Sequence, residues 1–210
     1  MSQGLCRAIP YPFMTSESEE LSGTDIPSTS APKPPIPNSY WLPGGMIAAG
    51  EYPGAASMGS ARERLGQLLD AGIRSFVDLT QPADPLMPYE QLLSLEGRAR
   101  GVDTRYQRFG IEDMGVTDRV TMKRILDYID DEVAEGRKTY IHCWGGVGRT
   151  GTTVGCYLVR HGQSYEEALA TVARLFATMT ERKTSRFPEG SPQTADQRAM
   201  VRAWTEEEEP

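Results

Sequence analysis

The chain has 210 residues, 39% of them hydrophobic and 24% charged, with a net charge of −7. That length suits one domain with a real core plus tails, and no apolar run approaches the roughly 20 residues that span a membrane. Its cysteines, Cys6, Cys143 and Cys156, are too sparse and too odd in number for a disulfide scaffold. The N-terminus also lacks the basic start and apolar stretch of a signal peptide, so a soluble, cytoplasmic protein is expected.

Residues 1–39 are rich in Pro, Ser, Thr and Glu without a sustained period and read as a disordered tail. Within them "APKPPIP" (31–37) reads as an extended polyproline segment. It is either a spacer or a docking strip for a partner with an aromatic-lined groove. The tail carries −2 and Glu206–Glu209 another −4, which leaves residues 40–205 near −1. With no basic stripe to track a phosphate backbone, nucleic acid is not the expected partner.

From Tyr40 the pattern turns globular. "MIAAGEYPG" (46–54) predicts a short strand ending in a turn. Ser57 is placed to cap a helix burying Leu65, Leu68 and Leu69 and closed by Gly72. "IRSFVDL" (73–79) and "TRYQRF" (104–109) predict two more strands. Met122, Ile125, Leu126, Ile129 and Val133 follow helical spacing up to Gly136, and "KTYIHC" (138–143) reads as a buried strand. A helix follows Arg149. Ser164 and Glu167 form a capping box for another over 165–179, and Ser191-Pro192 is expected to open a last one ending near Trp204. Strands alternating with helices predict an α/β fold, a mixed and largely parallel sheet flanked by helices, with the domain spanning 40–205 between the two tails.

The stretch "IHCWGGVGRTG" (141–151) joins a predicted strand to a predicted helix. Such a loop points successive N–H groups into one concavity, and the helix dipole adds positive potential suited to an oxyanion. Gly145, Gly146 and Gly148 let the chain curl and bring backbone close to a ligand. Arg149 offers a planar two-pronged donor for two phosphate oxygens. Helix N-termini and nearby cations favour the thiolate form of a cysteine. A thiolate below a bound phosphorus atom is a nucleophile in place, the role expected of Cys143.

"HCWGGVGRTG" resembles the His-Cys-five residues-Arg-Ser/Thr-Gly signature of cysteine-based protein tyrosine and dual-specificity phosphatases. The similarity runs from "PGGMIAAGEYPG" (43–54) through the last helix and leaves the acidic tails outside. Gly145 departs from it where alanine is common, and Trp144 is bulky where a small or basic residue is frequent. The resemblance implies a phosphocysteine intermediate on Cys143 and a phosphoryl group held by Arg149 and the loop Trp144, Gly145, Gly146, Val147 and Gly148. It implies a Thr150 hydroxyl that helps the thiolate leave, and a His142 that braces the cysteine. The residues alone read equally well with His142 as a buried core residue and Thr150 as a helix-start hydroxyl. Trp144 either lines the cleft mouth or packs.

Ester cleavage requires a proton for the leaving oxygen. "FGIEDMGVTD" (109–118) lies between a strand and a helix, as the acid-bearing loop of related phosphatases does, although the proline common there is absent. Asp113 is the expected acid, Glu112 a solvated neighbour, and Asp118 or Thr117 the cap of the following helix. "QTADQ" (193–197) resembles the stretch with which tyrosine-specific phosphatases position the hydrolytic water, which implies that role for Gln193 and Gln197. Arg182, Lys183 and Arg186 read as a solvated loop, with attraction of an acidic substrate as the alternative. Cys156 reads as a buried core thiol, with a disulfide to Cys143 as the alternative. The two histidines have no partners at metal-ligand spacing, so neither metal nor cofactor is expected.

The sequence therefore predicts a metal-independent protein phosphatase acting on phosphotyrosine, and on phosphoserine or phosphothreonine as an extension. The alternatives are a phosphoinositide or small-molecule phosphatase using the same loop, and a phosphate-binding module without turnover. Polyanionic head groups favour lysine or arginine inside the loop, and this loop offers none.

Overall fold

The computed structural model describes residues 33–204. Among them, a sheet of five strands runs in the order β1 (Ser39–Trp41), β2 (Ile47–Gly50), β5 (Lys138–His142), β3 (Ile73–Asp78), β4 (Arg105–Arg108). β1 is antiparallel to β2, and all other pairs are parallel. The predicted mixed, largely parallel sheet is thus the observed one.

Side chains alternate across the pleat. Ala48, Phe76 and Tyr140 face one core, shared with α1 (Met58–Asp70) and α2 (Glu90–Ala99). Ala49, Val77 and Ile141 face the other, built with α3 (Arg119–Ala134), α4 (Gly148–Arg160), α5 (Tyr165–Ala177) and α7 (Ala195–Arg202). β5 lies at the centre with both faces buried, which is why "TYIH" is nearly free of charge. The chain leaves β2, β3, β4 and β5 at the same carboxyl edge. Ligands of open α/β sheets bind there.

Predicted caps are observed at Ser57, Asp118 and Ser164, and Gly72 and Gly136 take the positive φ values that end their helices. Four elements had no sequence assignment or a different one. α2 starts at Tyr89 without a side-chain cap and is held by buried Leu92 and Leu93. β1 is only three residues long. "ERKTSR", read as a loop, forms the short helix α6 (Glu181–Arg186), capped by Thr180. The last helix begins at Ala195 with a Thr194–Gln197 capping box, not at Ser191-Pro192, because Thr194 is the residue whose hydroxyl accepts a first-turn N–H.

The packed chain also begins before residue 40. Ile36 is 1% exposed in the α1/α2 core, and Ser39 Oγ donates to the Ile36 carbonyl at 2.6 Å. A fully buried isoleucine contributes about 1.5–3 kcal/mol, so this part of the assigned tail belongs to the fold. The remaining tail residues, Cys6 and the acidic stretch 206–210 lie outside the described residues. Among the described residues no helix is long and apolar enough to cross a membrane.

Candidate active site

β5 ends at His142 and α4 begins at Gly148, so Cys143 to Val147 must turn the chain at the sheet's carboxyl edge. Gly146 has φ +72°, and a Cβ there would collide with the backbone of Gly50 and Glu51. At Gly148 a Cβ would sit 2.7 Å from the Gln197 amide. Gly146 requires glycine, and a side chain at Gly148 would have to displace the Gln197 amide.

Three of the loop's carbonyls accept from donors outside the loop. Trp144 O accepts from Tyr52 N at 3.0 Å, Gly145 O from Lys183 Nζ at 3.0 Å, and Val147 O from Ser191 Oγ at 2.7 Å. A peptide whose carbonyl faces out turns its N–H in. The opening N–H groups of α4 have no intrahelical acceptor, so the concavity is lined by donors. Cys143 is buried at its base and Trp144 stands 45% exposed at its mouth.

Arg149 is 2% exposed. Its Nη1 donates to Asp84 Oδ2 at 2.8 Å and to the Ile111 carbonyl at 2.9 Å, and its Nη2 donates to Asp113 Oδ1 at 2.8 Å. Burial works against its charge, but the negative charges of Cys143, Asp84 and Asp113 outweigh it and raise its pKa. The Nε of Arg149 and the hydroxyl of Thr150 are buried with no hydrogen-bond partner. Buried polar groups are paired in about nine cases in ten. Two orphans on adjacent residues at the start of α4 are groups that a ligand rich in acceptor oxygens would satisfy.

His142 is fully buried behind Cys143. Its Nε2 lies 2.6 Å from Tyr89 Oη, and its Nδ1 lies 3.3 Å from the Cys143 carbonyl and 3.9 Å from Asp78 Oδ1. Burial pushes its pKa below the ordinary value despite Asp78, so the ring is neutral. Nδ1–H then faces the Cys143 carbonyl, and Tyr89, whose own pKa burial raises well above normal, donates to Nε2. This contact set is that of a brace. Asp78 is itself fixed by Thr80, by Tyr106 Oη at 2.6 Å and by Arg108 at 3.2 Å. Burial opposes its ionisation, and the hydrogen bonds from Thr80 and Tyr106 help to lower its pKa nonetheless.

In the acid loop, Asp113 reaches Arg149 as described, while Asp118 is committed to capping α3 through Thr121 N at 2.7 Å. Glu112 is exposed, and its carbonyl accepts from Gly115 N in the turn that puts Met114 at φ +63°. Gln197 is wholly buried. Its Oε1 accepts from Gln193 N and Thr194 N, both at 3.1 Å, and its Nε2 donates to the Gly115 carbonyl at 3.0 Å. Three of the four hydrogen-bonding sites of its amide are spent on backbone, which makes Gln197 a brace; the second Nε2 proton, on the side of Gly148, is the one left for the water-positioning role the sequence suggests. Gln193 supplies a backbone N–H to that brace.

Asp84, Tyr89 and Lys183 were missed as site residues. The signal for Asp84 was an acid in the loop after a neighbouring parallel strand; Tyr89 and Lys183 offered no pattern. Cys156 lies inside α4, and burial pushes its thiol up to about 12, which leaves it protonated and unreactive at neutral pH. Among the described residues no cluster of His, Cys, Asp and Glu is grouped to hold a metal ion.

The family described as Swiss Army Knife protein, DSP-PTPase phosphatase domain (PTP-SAK) matches residues 39–201. The chain is similar to the bovine (Bos taurus) protein tyrosine phosphatase domain-containing protein 1, 30% identical over 99 residues, 44% of this chain and 12% of that protein. It is also similar to the phosphatidylglycerophosphate phosphatase PTPMT2 of Arabidopsis thaliana, 28% identical over 100 residues, 48% of this chain and 41% of that protein. The chain thus spans less than half the length of both curated relatives. Among solved structures it resembles Tk-PTP in its active form, with 25% identity, a TM-score of 0.55, and coverage of 74% of this chain and 88% of that one.

Proposed function

The chain belongs to the PTP-SAK family of DSP-type phosphatase domains, and we propose that it hydrolyses phosphotyrosine in proteins through a phosphocysteine intermediate. Phosphoserine and phosphothreonine enter the same cleft as poorer substrates. The observation that carries the reading is the pair of buried unpartnered donors, Arg149 Nε and Thr150 Oγ1, beside Cys143 in a loop that carries no lysine or arginine of its own before Arg149. That lining suits one phosphate attached to an apolar or aromatic group. Trp144, the exposed aromatic residue next to Cys143, is the side chain we assign to contact such a group.

The phosphate takes the loop N–H groups and the Nε–Nη2 edge of Arg149. This displaces the Asp113 carboxyl from Nη2 toward the leaving oxygen. Once released from Arg149, the Asp113 carboxylate takes up a proton from solvent; Cys143 Sγ attacks phosphorus as the ester P–O bond breaks, and Asp113 passes that proton to the departing oxygen. Water then attacks the phosphocysteine, returning a proton to Asp113, and the P–S bond breaks with the Thr150 hydroxyl stabilising the released thiolate. The two carboxylates on Arg149 divide the work: Asp84 orients it and Asp113 yields. A reducing, cytoplasmic compartment, which keeps Cys143 a thiol, is part of the same proposal.

A second reading is a lipid or small-molecule phosphomonoesterase, favoured by the relative named as a phosphatidylglycerophosphate phosphatase. Turnover on phosphotyrosine, phosphoserine and phosphothreonine peptides should be measured beside phosphatidylglycerophosphate and phosphoinositide vesicles. Cys143→Ser serves as the blank, expected to lose activity by several orders of magnitude. The highest kcat/KM is expected on phosphotyrosine. A higher value on either lipid would replace the first reading with the second, and phosphate binding without turnover on any ester would leave only a binding module.

A further inference from the structure

We propose that Lys183 is a positioning residue of the phosphate loop, holding the Gly145 carbonyl outward so that the Gly146 N–H stays aimed at the bound phosphate, with Glu51 setting Lys183 in place. A concavity of donors works only while consecutive peptide planes keep the same orientation. Each inward N–H needs an outward carbonyl, and each carbonyl turned into packed protein needs a donor.

The peptide joining Gly145 to Gly146 is the weak link. Neither of its residues has a side chain to hinder rotation, whereas the carbonyls of Trp144 and Val147 belong to residues whose side chains restrict the plane. The neighbouring carbonyls are held by neutral donors, Tyr52 N and Ser191 Oγ. Only the Gly145 carbonyl receives an ammonium, Lys183 Nζ at 3.0 Å. The strongest donor thus sits on the peptide that is easiest to flip.

Lys183 is not a free surface lysine. Its Nζ lies 2.9 Å from Glu51 Oε2, and both side chains are only 13% exposed. Glu51 Oε1 pairs with Arg64 at 2.9 Å, and Asn38 Nδ2 donates to Oε2 at 3.1 Å. Asn38 Oδ1 in turn accepts from Thr180 Oγ1 at 2.6 Å, at the cap of the helix that carries Lys183. Two cations share one carboxylate, so the strut also leaves a net positive charge behind the loop that receives a dianion.

The inference concerns loop geometry and holds for any phosphate ester. Binding of inorganic phosphate to the parent tests the phosphatase site separately from the strut. In the full chain, Lys183→Met should weaken competitive inhibition by inorganic phosphate about 10-fold or more, the worth of a hydrogen bond to a charged group. KM for a small aryl phosphate should rise in parallel, with the thermal midpoint little changed. In the labelled protein the Gly146 amide should no longer shift on phosphate addition, and Lys183→Arg should recover part of the affinity. Glu51→Gln should produce a smaller loss in the same direction, and the double variant should bind phosphate no worse than Lys183→Met alone. Phosphate inhibition within about twofold of the parent in Lys183→Met, where the expected loss is tenfold or more, would overturn the proposal. If that variant fails to fold, unchanged phosphate inhibition in Glu51→Gln would overturn it equally.

Discussion

At Arg149 two carboxylates hold one guanidinium, and the proposed chemistry uses them differently. Asp113→Asn removes a proton donor and also the anion that competes with phosphate for Nη2. Turnover of a phosphotyrosine peptide should fall by about 10²–10⁴-fold, with a smaller loss for a nitrophenyl ester whose leaving group departs unaided. Vanadate affinity should hold or increase. Asp84→Asn loosens the opposite edge of the guanidinium, so it should weaken vanadate binding and slow all esters alike. Equal losses across leaving groups for Asp113→Asn would reduce that residue to loop structure. Behind Cys143, His142 is buried neutral with its pKa lowered, so the native state binds fewer protons there than the unfolded chain. Its contribution is complete above the ordinary value of about 6.5 and declines as pH falls below it. Tyr89→Phe leaves Nε2 of His142 buried without a donor, which should cost about 1–3 kcal/mol at pH 8. Denaturant melts at pH 8 and pH 5 check both statements; equal parent stability at the two pH values would contradict the neutral assignment.

Among elements, the strand, loop and helix around Cys143 were legible because each carries its own local signal. The strand ends in an apolar run, the loop carries paired glycines, and the helix opens on Gly148 just before Arg149. α2 was not legible because Tyr89 provides no capping side chain and its buried stripe is confined to Leu92, Leu93 and Glu96. α6 has no fully buried residue, so it leaves no periodic pattern; much of its packing information resides in Lys183, which reaches both the Gly145 carbonyl and Glu51. Gln197 was legible only in part. Its four-residue spacing from Gln193 suggested a shared helix face, while its capping box with Thr194 and its bond to the Gly115 carbonyl are seen only in the fold. The loop's glycines also differ in kind, which the sequence hides. A Cβ at Gly145 would make ordinary contacts with Val147 at 3.7 Å and Phe187 at 4.0 Å, while one at Gly146 meets the backbone of the β2 exit at positive φ. Gly145→Ala should therefore keep phosphate affinity and turnover near the parent's, in line with the alanine frequent in the wider superfamily. Gly146→Ala should lose phosphate binding and about 1–3 kcal/mol or more of stability. Matching phosphate affinities for the two variants would show that the loop is not held as described.

For the molecule as a whole, the boundary between tail and fold is set by contacts that composition cannot show. The Pro- and Ser-rich pattern continues through residue 39, yet Lys33 O accepts from Trp41 Nε1 at 3.1 Å and Ile36 fills a core between β-sheet and helices. Asn38, at φ +59°, then ties the entry of β1 to Glu51 and to Thr180. The segment just before β1 is thus fastened both to the core and to the strut that reaches the phosphate loop. Two truncations separate these roles. Deleting residues 1–31 removes a stretch whose composition offers little to a core, so the thermal midpoint and hydrolysis of a small aryl ester should match the full chain. Deleting residues 1–38 also removes Ile36 and Asn38. Losing that burial and those hydrogen bonds should lower the midpoint on the order of 10 °C. It should also raise KM for the small ester, because Glu51 and the cap of α6 lose a common anchor. A midpoint unchanged by the longer deletion would return residues 33–38 to the tail. A lower midpoint with KM unchanged would keep them in the fold but disconnect them from the site.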